Sequence, residues 1–240
     1  MLLLINLCLI NGIFPELFKI AIVKPIYKAG DKTQLNNYRP ISILPYISKI
    51  LEKVIYRRLM THLETNEILS PNQFGFRTGH STYMPLLILQ NIVLDGFERN
   101  MISCGIFLDL KKAFDTVDHK ILCDKLKSYG IVNELFSIIV SYLSNRYQSV
   151  KFQNSVSSLR KITVGVPQGS ILGPLLFVLF INDFPNISSG FTPLLYADDT
   201  ALIFQAKSTA ELQYIMDSEL PKVCKWLQAN KLALNTDKTY

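Results

Sequence analysis

Three aspartates stand where apolar strand residues would be expected. Asp198 and Asp199 are adjacent within "YADDTALIF" (196–204), and Asp109 falls near the end of the apolar run "CGIFLDL" (104–110). Burying one unpaired carboxylate is costly, and burying two neighbours costs more. If a hairpin carrying the Asp pair lies beside the strand carrying Asp109, all three converge. At about 4 Å each pair of like charges repels by roughly 4 kcal/mol at an effective dielectric near 20. Such a group protonates or splays apart unless a cation holds it. The donors on offer are hard carboxylate oxygens, which suit Mg²⁺ or Mn²⁺ better than Zn²⁺. Mg²⁺ held by few carboxylates keeps positions for water and substrate phosphates, the arrangement of two-metal phosphoryl transfer. A bland reading stays open for the pair alone, because Asp is common in hairpin turns.

The elements that must carry these acids can be read from periodicity. Residues 193–204 read as two apolar strands meeting at a tight turn near Asp198, and 104–110 as a third strand. Residues 45–63 put Ile47, Ile50, Leu51, Val54, Ile55 and Leu59 at helical spacing with Lys49, Lys53, Arg57 and Arg58 between them, and Pro45 suits the first turn. Residues 118–144 read as helical with a break at Gly130, and 146–153 with 159–164 as a strand pair. The stretch "GVPQGSILGP" (165–174) is dense in Gly and Pro and reads as a shaped loop, with Pro174 opening the apolar helix after it. Ser208 and Glu211 make a capping box for a helix that carries Pro221 as a kink. Strands interrupted by helices without strict βαβ alternation give an α+β fold class.

Composition bounds the function. At 240 residues and 49% hydrophobic, the chain suits one large domain or two subdomains and is too apolar to be disordered. Cys8, Cys104, Cys123 and Cys224 form no C-x-x-C pair, which points to buried reduced thiols. The apolar start "MLLLINLCLINGIF" has no basic flank and is interrupted by Asn6, Asn11 and Gly12, so it reads as a buried helix, not a signal or a membrane span. An intracellular protein, cytoplasmic or nuclear, is expected, with no membrane partner. Residues 1–60 hold nine Lys and Arg against three acids, and the rest of the chain balances, so the whole net charge of +6 sits in the first quarter. Such a region is either a footprint for a polyanion or an ordinary solvated face.

Taken together and in order, seven stretches resemble the reverse transcriptases of non-LTR (LINE-type) retrotransposons. They are "VKPIYKAGDK" (23–32), "NNYRPISILPYISKILEKVI" (36–55), "LSPNQFGFRTGHST" (69–82), "FLDLKKAFDTVDH" (107–119), "GVPQGSILGPLLFVLFINDFP" (165–185), "YADDTALIF" and "KLALNTDKTY" (231–240). "YADD" alone would be weak; the ordered set is specific. The resemblance implies a right-hand polymerase, with fingers over roughly 1–100 and palm over roughly 101–240, within one reverse transcriptase domain. It implies two Mg²⁺ ions, with Mn²⁺ an alternative, on Asp109, Asp198, Asp199 and the carbonyl of Leu110. It makes Phe114 the aromatic that screens the sugar 2′ position, and Gln168 and Gly169 part of the frame around the nucleotide. Lys28 and Arg39 match residues that grip the triphosphate, which agrees with the fork-shaped guanidinium and the point-charge ammonium. Lys238 matches a lysine placed to protonate the leaving pyrophosphate, and Arg77 and Tyr196 fall to the template and primer. The implied partners are an RNA template, a DNA primer or target DNA, and dNTPs.

The chain departs from that pattern in extent. No endonuclease precedes it, nothing after Tyr240 would build a thumb, and the expectation is therefore a fragment. Two rivals stay open at this point. One is a catalytically inactive remnant that keeps nucleic-acid binding; the other is a metal-dependent phosphohydrolase that shares only the carboxylates.

Overall fold

The computed structural model describes all 240 residues. In chain order the elements are α1 (Leu2–Asn11), β1 (Ile20–Tyr27), β2 (Tyr38–Ile43), α2 (Tyr46–Thr65), α3 (Tyr83–Glu98), β3 (Ile102–Leu108), α4 (His119–Ser128) and α5 (Asn133–Leu143). They continue as β4 (Arg146–Phe152), β5 (Ser155–Val156), β6 (Arg160–Ile162), α6 (Leu172–Phe180), β7 (Thr192–Tyr196), β8 (Asp199–Ala206) and α7 (Thr209–Ala229). This is the α+β class. The chain packs as two units, each drawn from two stretches: residues 1–68 with 114–176, and residues 69–113 with 177–240. No helix is long and apolar enough to cross a membrane.

The first unit holds a five-stranded sheet in the order β2-β1-β4-β5, with β6 also on β4. β1 and β2 form an antiparallel hairpin from Ile22↔Ile43 to Tyr27↔Tyr38, while β1 and β4 run parallel. α2 buries Leu51, Ile55, Leu59 and Leu63, a strict i, i+4 stripe, and leaves Arg57 and Arg58 outside. Pro45 occupies the position just before the first turn, with no side-chain capping bond. α4 and α5 part at Gly130, whose φ of +73° suits glycine.

α1 corrects one expectation. It is a helix, but only Cys8 and Leu9 are buried, and Leu2, Leu3, Leu7 and Ile10 are exposed. Its apolar residues surround the axis, so whichever face docks on α5, another stays outside. The four thiols are free as expected, yet only Cys8 is buried and Cys224 is exposed.

The second unit is built on an antiparallel sheet in the order β3-β8-β7. The register Phe107↔Ala201 and Leu194↔Ala201 fixes which side chains share a face, because neighbours along a strand alternate. Asp199, Ala201 and Ile203 fall on one face. There α3 packs Leu89 and Ile92 against Phe74, Leu194 and Ile203, and Gln205 Nε2 donates to the Ile92 carbonyl at 2.7 Å. α7 packs on β8, with Ser208 Oγ accepting from Glu211 N at 3.2 Å as the capping box requires and Pro221 inside the helix.

Candidate active site

The acids of "YADD" sit where β7 turns into β8. Tyr196 pairs with Asp199, so the turn has only Ala197 and Asp198 between the strands. Ala197 has φ +58°, a left-handed conformation that glycine usually supplies in such turns. Its amide is held by a buried side chain: Gln73 Oε1 accepts from Ala197 N at 3.0 Å and from Gly75 N at 2.7 Å. Residues 72–74 also run beside β7, with Leu195 N donating to Asn72 O at 2.9 Å and Phe74 N to Leu195 O at 2.8 Å. A Cβ on Gly75 would lie 2.1 Å from Ala197 N, so only glycine fits there. The strained turn is thus supported from outside, as sparsely populated backbone must be.

Asp109 follows the last residue of β3, and the end of the chain folds back over it. Phe107 N donates to Tyr240 O at 2.7 Å, Tyr240 N to Phe107 O at 3.1 Å, and Lys111 N to Ala233 O at 2.8 Å. Asn235 touches Asp109 twice: its N–H donates to the Asp109 carbonyl at 2.8 Å and its Nδ2 to the carboxylate Oδ2 at 2.6 Å. Asp109 N donates to Thr239 Oγ1 at 3.4 Å.

Asp109, Asp199, Lys238 and Tyr196 line one cavity of about 660 Å³, whose other walls are mostly apolar, among them Pro85, Leu86, Leu89, Phe107 and Leu194. The expected three-way convergence of carboxylates is only partly met. No three acidic, His or Cys side chains gather closely enough to hold an ion by themselves, and Asp198 is not on the cavity wall. Asp198 belongs to the turn itself, whereas Asp199 is the first residue of β8. Two carboxylates on one wall still suit Mg²⁺, which is commonly bound by one or two of them together with substrate phosphates and water. Leu110 bridges to Leu234. Arg77 Nη1 donates to the carbonyls of Ser70 at 2.8 Å and Gln73 at 3.2 Å, bracing the segment that supports the turn.

The other sequence-predicted residues lie in the first unit. Lys28 and Arg39 are exposed on the β1–β2 hairpin, where Lys28 N donates to Asn37 O at 2.9 Å and Arg39 pairs with Ile26. Gln168 and Gly169 sit in a loop pinned on several sides. Ser42 N donates to Gln168 O at 2.7 Å, Gln168 Nε2 to Asp115 Oδ1 at 2.9 Å, and Val166 N to Phe114 O at 2.8 Å. Gly169 has φ +109°, and a Cβ there would meet the Ser42 carbonyl at 2.8 Å. Glu52 completes the support. Its fully buried carboxylate accepts from Ile171 N at 2.8 Å and Leu172 N at 3.2 Å, capping α6 from a neighbouring helix, and from Ser48 Oγ at 2.9 Å. Phe114 is half-buried.

Sequence reasoning missed Gln73, Asn235 and Glu52. Each acts on a group more than 100 positions away. The one local signal was an acid or amide inside a matched stretch, which by itself says nothing about what it touches.

An antiparallel sheet carries these acids at its strand ends, and a glycine-shaped loop opens an apolar helix. Solved structures agree on the fold. The chain is similar to telomerase from Candida tropicalis, with a TM-score of 0.69 at 13% identity, over 95% of this chain and 45% of that one. The family model described as "Reverse transcriptase (RNA-dependent DNA polymerase)" matches residues 26–240, and the chain belongs to that family. Among its relatives are the RNA-directed DNA polymerase from mobile element jockey of Drosophila melanogaster, 34% identical over 98% of this chain, and the probable RNA-directed DNA polymerase from transposon BS of the same fly, 35% identical over 94%. A type-1 retrotransposable element R1 polyprotein from Bradysia coprophila is 30% identical over 97%. These relatives belong to non-LTR retrotransposons. The chain spans about a quarter of their length, 26%, 26% and 23% respectively.

Proposed function

We propose that the chain is the fingers and palm of an RNA-directed DNA polymerase that acts inside the cell and adds dNTPs to a primer 3′-hydroxyl along an RNA template. The observation that carries this reading is the pair Asp109 and Asp199 on one cavity wall beside Lys238. Family membership and the printed names of the relatives support it.

In this reading Asp109 and Asp199 hold Mg²⁺, with Asp198 and the Leu110 carbonyl joining when nucleotide and primer bind. The ions would lower the pKa of the primer hydroxyl and neutralise the charge on the leaving pyrophosphate. The chain's own groups do the rest. Lys28 and Arg39 grip the triphosphate, and Gln168 and Gly169 frame the base and sugar. Phe114 closes the space at the 2′ position. Lys238 gives its proton to the leaving pyrophosphate. Tyr196 and Arg77 serve the primer and template side.

The test is primer extension on an RNA template with and without Mg²⁺. Wild-type protein should extend the primer only with the metal. Asp109→Asn and Asp199→Asn should each abolish extension while melting at the wild-type temperature or above, since removing one carboxylate relieves repulsion. Extension at the wild-type rate by Asp109→Asn would sink the assignment.

A further inference from the structure

Asp109 is a carboxylate on a short stem just beyond a strand end, and a free carboxylate there would sample several rotamers. One of its oxygens is instead fixed. Asn235 Nδ2 donates to Oδ2 at 2.6 Å, the short length expected of a hydrogen bond to an ionised acceptor. Asn235 is itself anchored independently of its side chain. Its N–H donates to the Asp109 carbonyl at 2.8 Å, and its own carbonyl accepts from Thr239 Oγ1 at 3.0 Å. The flanking bonds Lys111 N to Ala233 O at 2.8 Å and Phe107 N to Tyr240 O at 2.7 Å hold the segment on both sides. The amide therefore has a fixed origin and a fixed target.

We propose that Asn235 is a positioning residue: it locks Asp109 Oδ2 and so presents Oδ1 to the metal in one orientation. This rests on the metal-binding reading of Asp109 given above. A metal ligand whose second atom is tied to a neighbouring donor binds its ion without first losing rotamer freedom, and removing such a tie typically costs about 10- to 100-fold in metal affinity. Lys238, in the same segment, lines the cavity too, so the stretch 235–240 supplies both the positioner of a carboxylate and a cation on the same cavity wall.

The experiment measures Mn²⁺ binding by electron paramagnetic resonance on the whole chain, without nucleic acid, for wild type, Asn235→Ala, Asn235→Leu and Asp109→Asn. Thermal melts and steady-state extension accompany it. Asn235→Ala should weaken Mn²⁺ binding by at least about tenfold. It should also lower kcat while leaving KM for dNTP near wild type, and raised Mn²⁺ should restore part of kcat. The backbone bonds remain, so its melt should stay within a few degrees of wild type. If the alanine variant unfolds, Asn235→Leu keeps the volume and must show the same loss. Wild-type Mn²⁺ affinity in a folded Asn235 variant overturns the proposal while leaving the metal reading intact. A wild-type chain whose Mn²⁺ binding is unaltered by Asp109→Asn overturns the metal reading, and the proposal with it.

Discussion

Phe114 poses a question that one substitution can answer. It is half-buried, its carbonyl accepts from Val166 N at 2.8 Å, and its side chain is either a barrier at the sugar or a piece of core. DNA and RNA precursors differ only at the 2′ position, so a rigid ring there discriminates by a clash, not by attraction. Phe114→Val should keep much of the dNTP activity and gain ribonucleotide incorporation by at least about tenfold, equal to about 1.4 kcal/mol at the transition state. A lowered melting temperature with an unchanged ratio of the two activities would make it a core residue. At this scale the sequence was legible where chemistry conflicts with position. Asp109, Asp198 and Asp199 stand out because a charge on an apolar strand is anomalous. Gln73, Asn235 and Glu52 did not, because an amide or an acid becomes informative only once its distant partner is known. The difference between Asp198 and Asp199 was hidden too, since it depends on the exact residues that form the turn.

Among the elements, the strands and helices that the sequence pattern assigns emerged near the expected places, since period-2 and period-3.6 patterns are local, while β1, β2 and α3 fell in stretches it leaves unassigned. What the pattern could not show was support arriving from elsewhere. The 72–77 segment props a turn over a hundred residues on, and Gly75 has no room for a Cβ beside the Ala197 backbone. Gly79, four residues later, has nothing within 4 Å and only a φ of +76° against it. Gly75→Ala should therefore destabilise by up to about 3 kcal/mol, with extension reduced, while Gly79→Ala costs about 1 kcal/mol. Equal melts for the two would contradict the support described for the turn. α7 offers a pH test. Lys222 Nζ lies 2.8 Å from Glu219 Oε1, and that hydrogen bond holds the Glu219 carboxyl below the usual range. A folded value below the unfolded one contributes stability that is present above about pH 4.3 and is lost as pH falls through the lower folded value. Melts between about pH 6 and 3 should fall more steeply for wild type than for Glu219→Gln; parallel curves would mean the pair contributes nothing.

Charge and extent belong to the whole molecule. Of the nine basic residues in the first sixty, Lys19 is buried against Glu16 at 2.8 Å and is lost to any outside partner. Lys53, Arg57 and Arg58 remain exposed on α2. Binding to an RNA–DNA duplex should be weak and should fall steeply with salt, since phosphate contacts release counterions. Replacing those three with Ala should flatten the log–log salt slope by up to about 3, one for each phosphate neutralised. An unchanged slope would assign the basic first quarter to ordinary solvation. β3 and β7 are the outer strands of their sheet, and bare outer strands are templates on which copies of a protein stack into aggregates. Here Tyr240 pairs with Phe107 near the end of β3 and residues 72–74 pair with Leu195 on β7, so part of each border is already occupied by the chain itself. The stretch that steadies Asp109 is also the one that covers the end of β3, and cutting the chain after Lys231 would remove both effects at once.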